Sequence, residues 1–361
     1  MMRTMEKRNK MFRRWGAILL LVPLLSGCSL ASTSKKEGAE SIDPPQSAIE
    51  QTLTQGDGSL SNSSQDIVTV YLLDRNGYLA PMSLRLDSEQ TSSQSSSQSS
   101  PAEKAIAWMT AKKQLTDQLP RGFSAILPEG TKVSSVEIDK SAETISVDFA
   151  APFPNLVASQ ERKVIEALVW TLTELPGINK VKLSIAGKPI QSLPSSGLPV
   201  DHVLTRGVGI NVEAAKGIEI NRSMAVTLYF SAHSTDGDGY FVPVTRLITR
   251  QADPAKAALE QLIQGPQNTK ALNPVLTSDM TIEKLSQMAD TVNVSLNDAG
   301  WMPKSPIPSE MMEALVLTLT EVTGAPQVRV VMNGDDSLVD SDQRSYASPV
   351  TRPTNVNTLS R

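Results

Sequence analysis

The sequence is poor in the residues that most enzymes and metal proteins rely on. It has one cysteine and two histidines, His202 and His233, in 361 residues. A single cysteine forms neither an internal disulfide nor a thiolate metal cluster. Two histidines exclude a three-histidine metal site. Only 4% of residues are aromatic, and the net charge is −4. That balance argues against a broad nucleic-acid-binding surface, which needs an excess of Lys and Arg. The 40% apolar content suffices for packed cores but not for a polytopic membrane protein. No Gly-x-Ser-x-Gly elbow and no phosphate-cradling glycine loop occur. No cofactor is expected.

The basic residues present are unevenly placed. Arg3, Lys7, Arg8, Lys10, Arg13 and Arg14 precede an apolar run over residues 15–25. This is the n-region and h-region of a secretory signal, and it falls short of the ~20 apolar residues that a membrane span requires. The run ends Leu25-Ser26-Gly27-Cys28. These four residues resemble a bacterial lipobox. That resemblance implies cleavage after residue 27 and diacylation, for example with palmitate, of the Cys28 sulfur. The alternatives are an ordinary signal peptide with an incidental cysteine, or an uncleaved anchor. Two acyl chains give stable attachment where one is marginal. Cleavage takes six basic residues and one acidic residue from totals of 34 and 38, leaving 28 and 37, a net of −9. An acidic chain is not drawn to anionic lipid, so the lipid would be the anchor.

Residues 28–65 read as a flexible tether, rich in Ser, Gln, Gly, Glu and Thr. A coil of that length spans roughly 30–40 Å. A second Ser/Gln/Thr-rich stretch, residues 88–100, reads as a loop inserted within a domain.

The strongest organisational signal is an internal repeat. Glu166-Ala-Leu-Val-Trp-Thr-Leu-Thr-Glu-Leu175 returns as Glu313-Ala-Leu-Val-Leu-Thr-Leu-Thr-Glu-Val322. Gly177, Val181 and Gly187 meet Gly324, Val328 and Gly334 without a gap. Val68-Thr-Val-Tyr71 pairs with Val226-Thr-Leu-Tyr229, and Gly77-Tyr78-Leu-Ala-Pro81 with Gly239-Tyr240-Phe-Val-Pro243. The tails also correspond, Thr205-Arg206 with Thr351-Arg352 and Asn211 with Asn357. A period this long means duplicated domains. They are expected at 66–211 and 224–357.

Each copy predicts the order ββαββαβ. Asn76-Gly77 suits a tight hairpin. Ser100 and Asp253 are candidate caps for helices that open with Pro101 and Pro254. A second helix over 159–175 carries an apolar stripe of Val164, Ile165, Leu168, Leu172 and Leu175. Strands with one polar face imply α+β domains, each a sheet covered by two helices on one side.

With the lipobox, the tandem copies and the recurring Glu-Ala-Leu-Val-x-Thr-Leu-Thr-Glu helix, the sequence resembles the GerMN-domain family of sporulation and spore germination lipoproteins. The resemblance covers nearly the whole chain from Cys28 to Asn357. It implies a fold similar to the ring-building motif and a non-enzymatic lipoprotein of an endospore former. It implies a location on the outer forespore membrane, facing the intermembrane space. There the chain would join or anchor a mother cell–forespore channel complex, with lateral self-association between copies. The insertion at 88–100 departs from the family and bears on any side-by-side packing through that loop.

Other residues carry candidate chemistry. His233 with Asp236 and Asp238 reads either as a cation or catalytic cluster or as a polar hairpin tip. Copy one has no histidine there, which favours the tip. His202 reads as a surface residue. Asp335, Asp336, Asp340 and Asp342 read as a solvated acidic tail or a cation site. Glu166, Thr171, Thr173 and Glu174 recur as Glu313, Thr318, Thr320 and Glu321, either as a repeated site or as inherited helix packing. Trp170 and Trp301 are contact candidates whose default is the core. Besides tethered assembly, two functions stay open. One is binding of cell-wall glycan or a small ligand, and the other is carboxylate-based wall hydrolysis.

Overall fold

The structure, a computed structural model, describes residues 67–85, 99–112 and 118–358. Cys28, the signal segment, the tether and most of the 88–100 insertion lie outside the described residues. The described residues belong to one compact unit, Leu60–Arg361.

The first repeat opens with β1 (Ile67–Asp74) and β2 (Leu79–Arg85), antiparallel and joined at a turn where Gly77 takes φ +82°. Helix α1 (Pro101–Met109) starts at Ser100 with a complete capping box, the Ser100 hydroxyl accepting from Glu103 N and the Glu103 carboxylate accepting from Ser100 N. The short β3 (Phe123–Ser124) returns to β1. β4 (Val133–Asp139), β5 (Thr144–Phe149), helix α2 (Ala158–Leu172), β6 (Lys180–Ile185) and β7 (Lys188–Pro189) complete the repeat. β5 and β6 run parallel across α2, the usual outcome of a helical crossover.

The second repeat reproduces this plan. β8 (Glu213–Ala214) belongs to the linker and pairs with β10. β9 (Ser223–His233) and β10 (Gly239–Thr249) form the hairpin, and α3 (Pro254–Gln264) follows, its Asp253 cap accepting from Lys256 N. β11 (Thr281–Met288), β12 (Thr291–Asn297), α4 (Ser309–Thr323), β13 (Gln327–Met332) and β14 (Val350–Thr351) close the chain.

The α+β class and the tandem copies match the expectation, and the long elements follow ββαββαβ with two-residue strands β3, β7 and β14 added, while the strands of each repeat divide between two sheets. One is built on the hairpin, in orders β2-β1-β3 and β8-β10-β9. The other is four-stranded, in orders β4-β5-β6-β7 and β11-β12-β13-β14. In both repeats the tail returns to the last long strand. Leu204 bridges Val181, and Val350 bridges Val328. Helix α2 ends at Leu172, earlier than the expected residue 175, while α4 runs to Thr323, one residue past the counterpart of 175, where Gly324 takes a left-handed cap.

The helices bury their stripes against both sheets of their own repeat. Leu168, Leu172, Val147 and Val181 in the first repeat, and Leu315, Leu319, Val294 and Val328 in the second, are at most 2% exposed. The hairpins depart from one-face burial. In β2, Leu79, Ala80 and Met82 are fully buried, as are Val242 and Val244 in β10. A strand buried on both faces needs two covers. The helices supply one, and the other repeat supplies the second.

Candidate functional site

The recurring helix residues converge where the two repeats meet. Thr171, on the last turn of α2, accepts from the backbone N–H of Tyr71 in β1 at 2.9 Å. Its counterpart Thr318 accepts from the N–H of Tyr229 in β9 at 3.1 Å. Both threonines are fully buried. A buried strand N–H left unpaired costs ~1–3 kcal/mol, which explains a mid-helix threonine despite its poor helix propensity.

One turn further on, the helices present carboxylates and hydroxyls to the tail arginines. Arg206 donates to the Thr173 hydroxyl at 2.9 Å, pairs with Glu174 at 2.5 Å and reaches Glu321 of the other repeat at 2.8 Å. Arg352 donates to the Thr320 hydroxyl at 3.0 Å, pairs with Glu321 at 3.0 Å and donates to the Tyr229 hydroxyl at 2.7 Å. The Tyr71 hydroxyl donates to Glu174 at 3.0 Å. The arginines also lie over aromatic faces, Arg206 at 4.5 Å from the Trp170 ring and Arg352 at 5.3 Å from that of Tyr229. Two cations and two anions leave the cluster neutral.

Its electrostatics follow from that pairing. Burial pushes the Glu174 carboxyl up, but the Arg206 and Arg352 charges outweigh it and hold the group below the usual carboxylate range. Burial raises the Tyr71 hydroxyl well above its ordinary value and lifts Tyr229 to about 12. Neither tyrosine ionises near neutral pH, so both act as fixed hydrogen-bond groups.

A second joint lies between β2 and β10. Asn211 accepts from Leu79 N at 2.9 Å and donates to Leu79 O at 2.8 Å and Pro243 O at 2.7 Å. Asn357 accepts from Phe241 N at 2.7 Å and donates to Phe241 O and Pro81 O, each at 2.7 Å. The contacts are reciprocal. Each asparagine grips one strand through both backbone groups and touches the proline carbonyl of the other. This is the isologous pattern of a two-fold interface, made within one chain. Pro81 and Pro243 have no N–H, so the strands do not ladder directly there, and the carboxamides bridge them. Both asparagines hold positive φ, +47° and +57°, a region that Asn tolerates better than most residues.

The linker is tied in by Arg246, only 1% exposed. It pairs with Glu213 at 2.7 Å and donates to Gly265 O at 2.9 Å. Gly209, at φ +76°, accepts the Trp170 indole N–H at 2.9 Å. A Cβ at Gly209 would come within 2.8 Å of Val212 Cγ2.

The remaining candidates resolve as follows. His233 ends β9, exposed, with its Nδ1 3.1 Å from Asn273 Nδ2, and Asp236 pairs across the repeats with Arg121 at 3.5 Å. His202 is exposed in the inter-repeat segment. The acidic stretch is not a solvated tail throughout. Asp340 is 2% exposed and accepts from Asp342 N, Arg344 N and the Tyr346 hydroxyl, so it organises the loop. Asp335 holds Ser337 and Asp336 pairs with Arg329. Trp170 is fully buried, and Trp301 is half-buried with its indole bonded to Ser305 O. Among the described residues, no group of three or more His, Cys, Asp or Glu side chains is placed to hold a metal ion. No described helix is long and apolar enough to cross a membrane.

In the sequence Arg206 pairs with Arg352 and Asn211 with Asn357 across the two copies, with nothing local to assign them a role. Their recurrence at the end of each tail, far from the helix motif, was the available signal.

Comparison with known proteins fits this duplicated design. Residues 69–191 and 227–337 match the family Germane, described as sporulation and spore germination. The chain belongs to this family. It is 31% identical to spore germination protein GerM of Bacillus subtilis (strain 168), over 93% of this chain and 94% of that protein. A solved structure of the tandem GerMN domains of Bacillus subtilis GerM matches with a TM-score of 0.72 and 32% identity. The match covers 81% of this chain and 99% of that one. The family membership accounts for the two matched copies, each a sheet-and-helix unit.

Proposed function

We propose that this member of the family is a non-enzymatic, lipid-anchored assembly protein that serves sporulation and germination from a membrane surface. The observation that carries the reading is the use made of the repeated polar residues. Thr171 and Thr318 brace strands of their own repeats, while Arg206 ties Thr173 and Glu174 to Glu321 of the other repeat, and Asn211 and Asn357 reach Pro243 and Pro81 across the seam. A duplicated motif devoted to internal joining suits a rigid two-domain body that presents fixed surfaces. The lipobox Leu25-Ser26-Gly27-Cys28 supports attachment at the Cys28 sulfur, with the acyl chains facing the membrane and the 28–65 tether as spacer. In this reading the body contacts protein partners of a channel complex between mother cell and forespore and can pack laterally with other copies. It carries no cofactor and engages no nucleic acid.

Two measurements test this. The mature N-terminal peptide should begin at Cys28 with the mass of a diacylated cysteine, and Cys28→Ala should move the protein from the membrane to the soluble fraction. A mature chain without added lipid mass overturns the anchor. Mild crosslinking in sporulating cells should capture membrane-complex proteins with the wild type. Loss of wall integrity on adding the purified chain to peptidoglycan overturns the non-enzymatic reading.

A further inference from the structure

The first repeat holds an apolar cavity of about 240 Å³ between α2, β5–β6 and the loop after β7. Phe149, Val164, Leu168 and Leu183 form its floor, and Phe153 and Ile190 its sides. The duplication provides an internal comparison. In the second repeat, Ile307 before α4, and Leu338 and Tyr346 after β13, are packed to 1%, 2% and 3% exposure. In the first repeat, Phe153, Leu156 and Ile190 in the corresponding segments stay only partly buried. At these positions the flanking segments close more tightly over the helix and strands in the second copy than in the first.

One charge lines this cavity. Glu161, in the first turn of α2 and 1% exposed, accepts from Ser195 N at 2.6 Å and Ser196 N at 2.8 Å. Burial pushes its carboxyl up, but these donors outweigh it and hold the group below the usual range. Each oxygen keeps lone-pair capacity for a further donor. A fixed anion beside an apolar chamber repels a carboxylate or phosphate head and favours an ammonium or neutral donor. At roughly 30 Å³ per water-sized group, the chamber holds about eight non-hydrogen atoms.

We infer that the first repeat binds the alkyl or aryl group of a small amine, its tail in the cavity beside Val164 and Leu168 and its nitrogen at the Glu161 carboxylate. The second repeat, more tightly covered at the corresponding positions, serves as the comparison copy. This site is separate from the inter-repeat joint and does not depend on the assembly reading.

The test uses the full chain carrying Cys28→Ala, so that no acyl chain competes. The probe is octylamine, whose eight-carbon tail matches the chamber, titrated by calorimetry alongside octanol and octanoate. The expected result is saturable binding of one probe per chain, with octylamine bound at least tenfold more tightly than octanoate. Ile165→Trp, which fills the chamber, should weaken probe binding at least tenfold while the thermal midpoint stays within a few degrees. Glu161→Gln should narrow the preference for amine over acid. Non-saturable binding, or binding unchanged in Ile165→Trp, overturns the site. Equal affinity for octanoate and octylamine overturns the ligand class. Should Glu161→Gln fail to fold, the Ile165→Trp comparison and the wild-type amine-to-acid ratio still decide.

Discussion

Replacing Asn357 by alanine probes the inter-repeat joint most selectively. The side chain makes three short hydrogen bonds, two to Phe241 and one to Pro81 of the other repeat. At about 1 kcal/mol for each buried bond, their loss comes to about 3 kcal/mol. Alanine at φ +57° adds roughly 1 kcal/mol of backbone strain. Water entering the gap recovers part of this, so the expected loss is about 2–4 kcal/mol. Urea unfolding of a background in which Trp15, Trp108 and Trp301 are replaced by Phe, followed by Trp170 fluorescence, reads it out, because Trp170 sits in the first repeat while Asn357 ends the second. If the repeats unfold as one body, the Trp170 signal shifts with the rest of the chain. Asn333→Ala is the control. It too has positive φ, but its carboxamide bonds only within the second repeat, to Asp298. The double variant Asn211→Ala/Asn357→Ala should deviate from additivity by at least ~0.5 kcal/mol, since both residues brace the same two strands. A loss below about 1 kcal/mol for Asn357→Ala, or an early transition of the second repeat with Trp170 unmoved, refutes the reasoning.

Further predictions follow from neighbouring residues. Arg206→Ala leaves Glu174 and Glu321 short of a partner. With these groups partly reached by solvent, the cost should be about 2–3 kcal/mol in thermal or chemical unfolding, below the 3–5 of a fully buried pair. Glu174 lies below its unfolded value, so its contribution is present at neutral pH. It disappears as pH falls through the folded pKa, and this acid-side loss should flatten in Glu174→Gln. Glu313 has the opposite sign. Burial raises it, so its contribution exists only in acid and is lost as pH rises. Glu313→Gln should therefore be more stable than wild type at pH 7 and equal to it near pH 3. Gly209→Ala combines a 2.8 Å clash with positive φ and should lower the thermal midpoint by several degrees, which calorimetry would show.

The elements themselves were legible. The Ser100 and Asp253 caps, the Asn76-Gly77 turn and the helix stripes are local, and local chemistry is what a sequence displays. The duplication exposed the rest of each repeat. What stayed hidden was the use of the repeated polar residues, because hydrogen-bond partners of Thr171 and Glu174 lie some 100 or 30 residues away in Tyr71 and Arg206. A helix pattern of threonines reads equally well as packing or as a site until the opposing strand is placed. The division of each repeat into two sheets was hidden for the same reason. β2 and β10 are buried on both faces because the other repeat covers the second, and period-two alternation records only one covered face. The burial of Asp340 is not legible in the sequence, because an acidic run looks polar whether or not a loop folds around one member. The open cavity also left no signal, since Phe153 and Ile190 are as apolar as the residues that close the second copy.

The central claim is that two duplicated domains are locked into a single rigid body by the Arg206–Glu321 pair, Asn211 and Asn357. Native-state hydrogen exchange of the full chain at increasing urea tests it most directly. The account predicts that the slowest amides of β1 and β9 share one opening free energy, equal to that of global unfolding, and that this falls together in both strands when Asn357 becomes alanine. Two distinct free energies in the wild type, with β1 unaffected by that substitution, would contradict it.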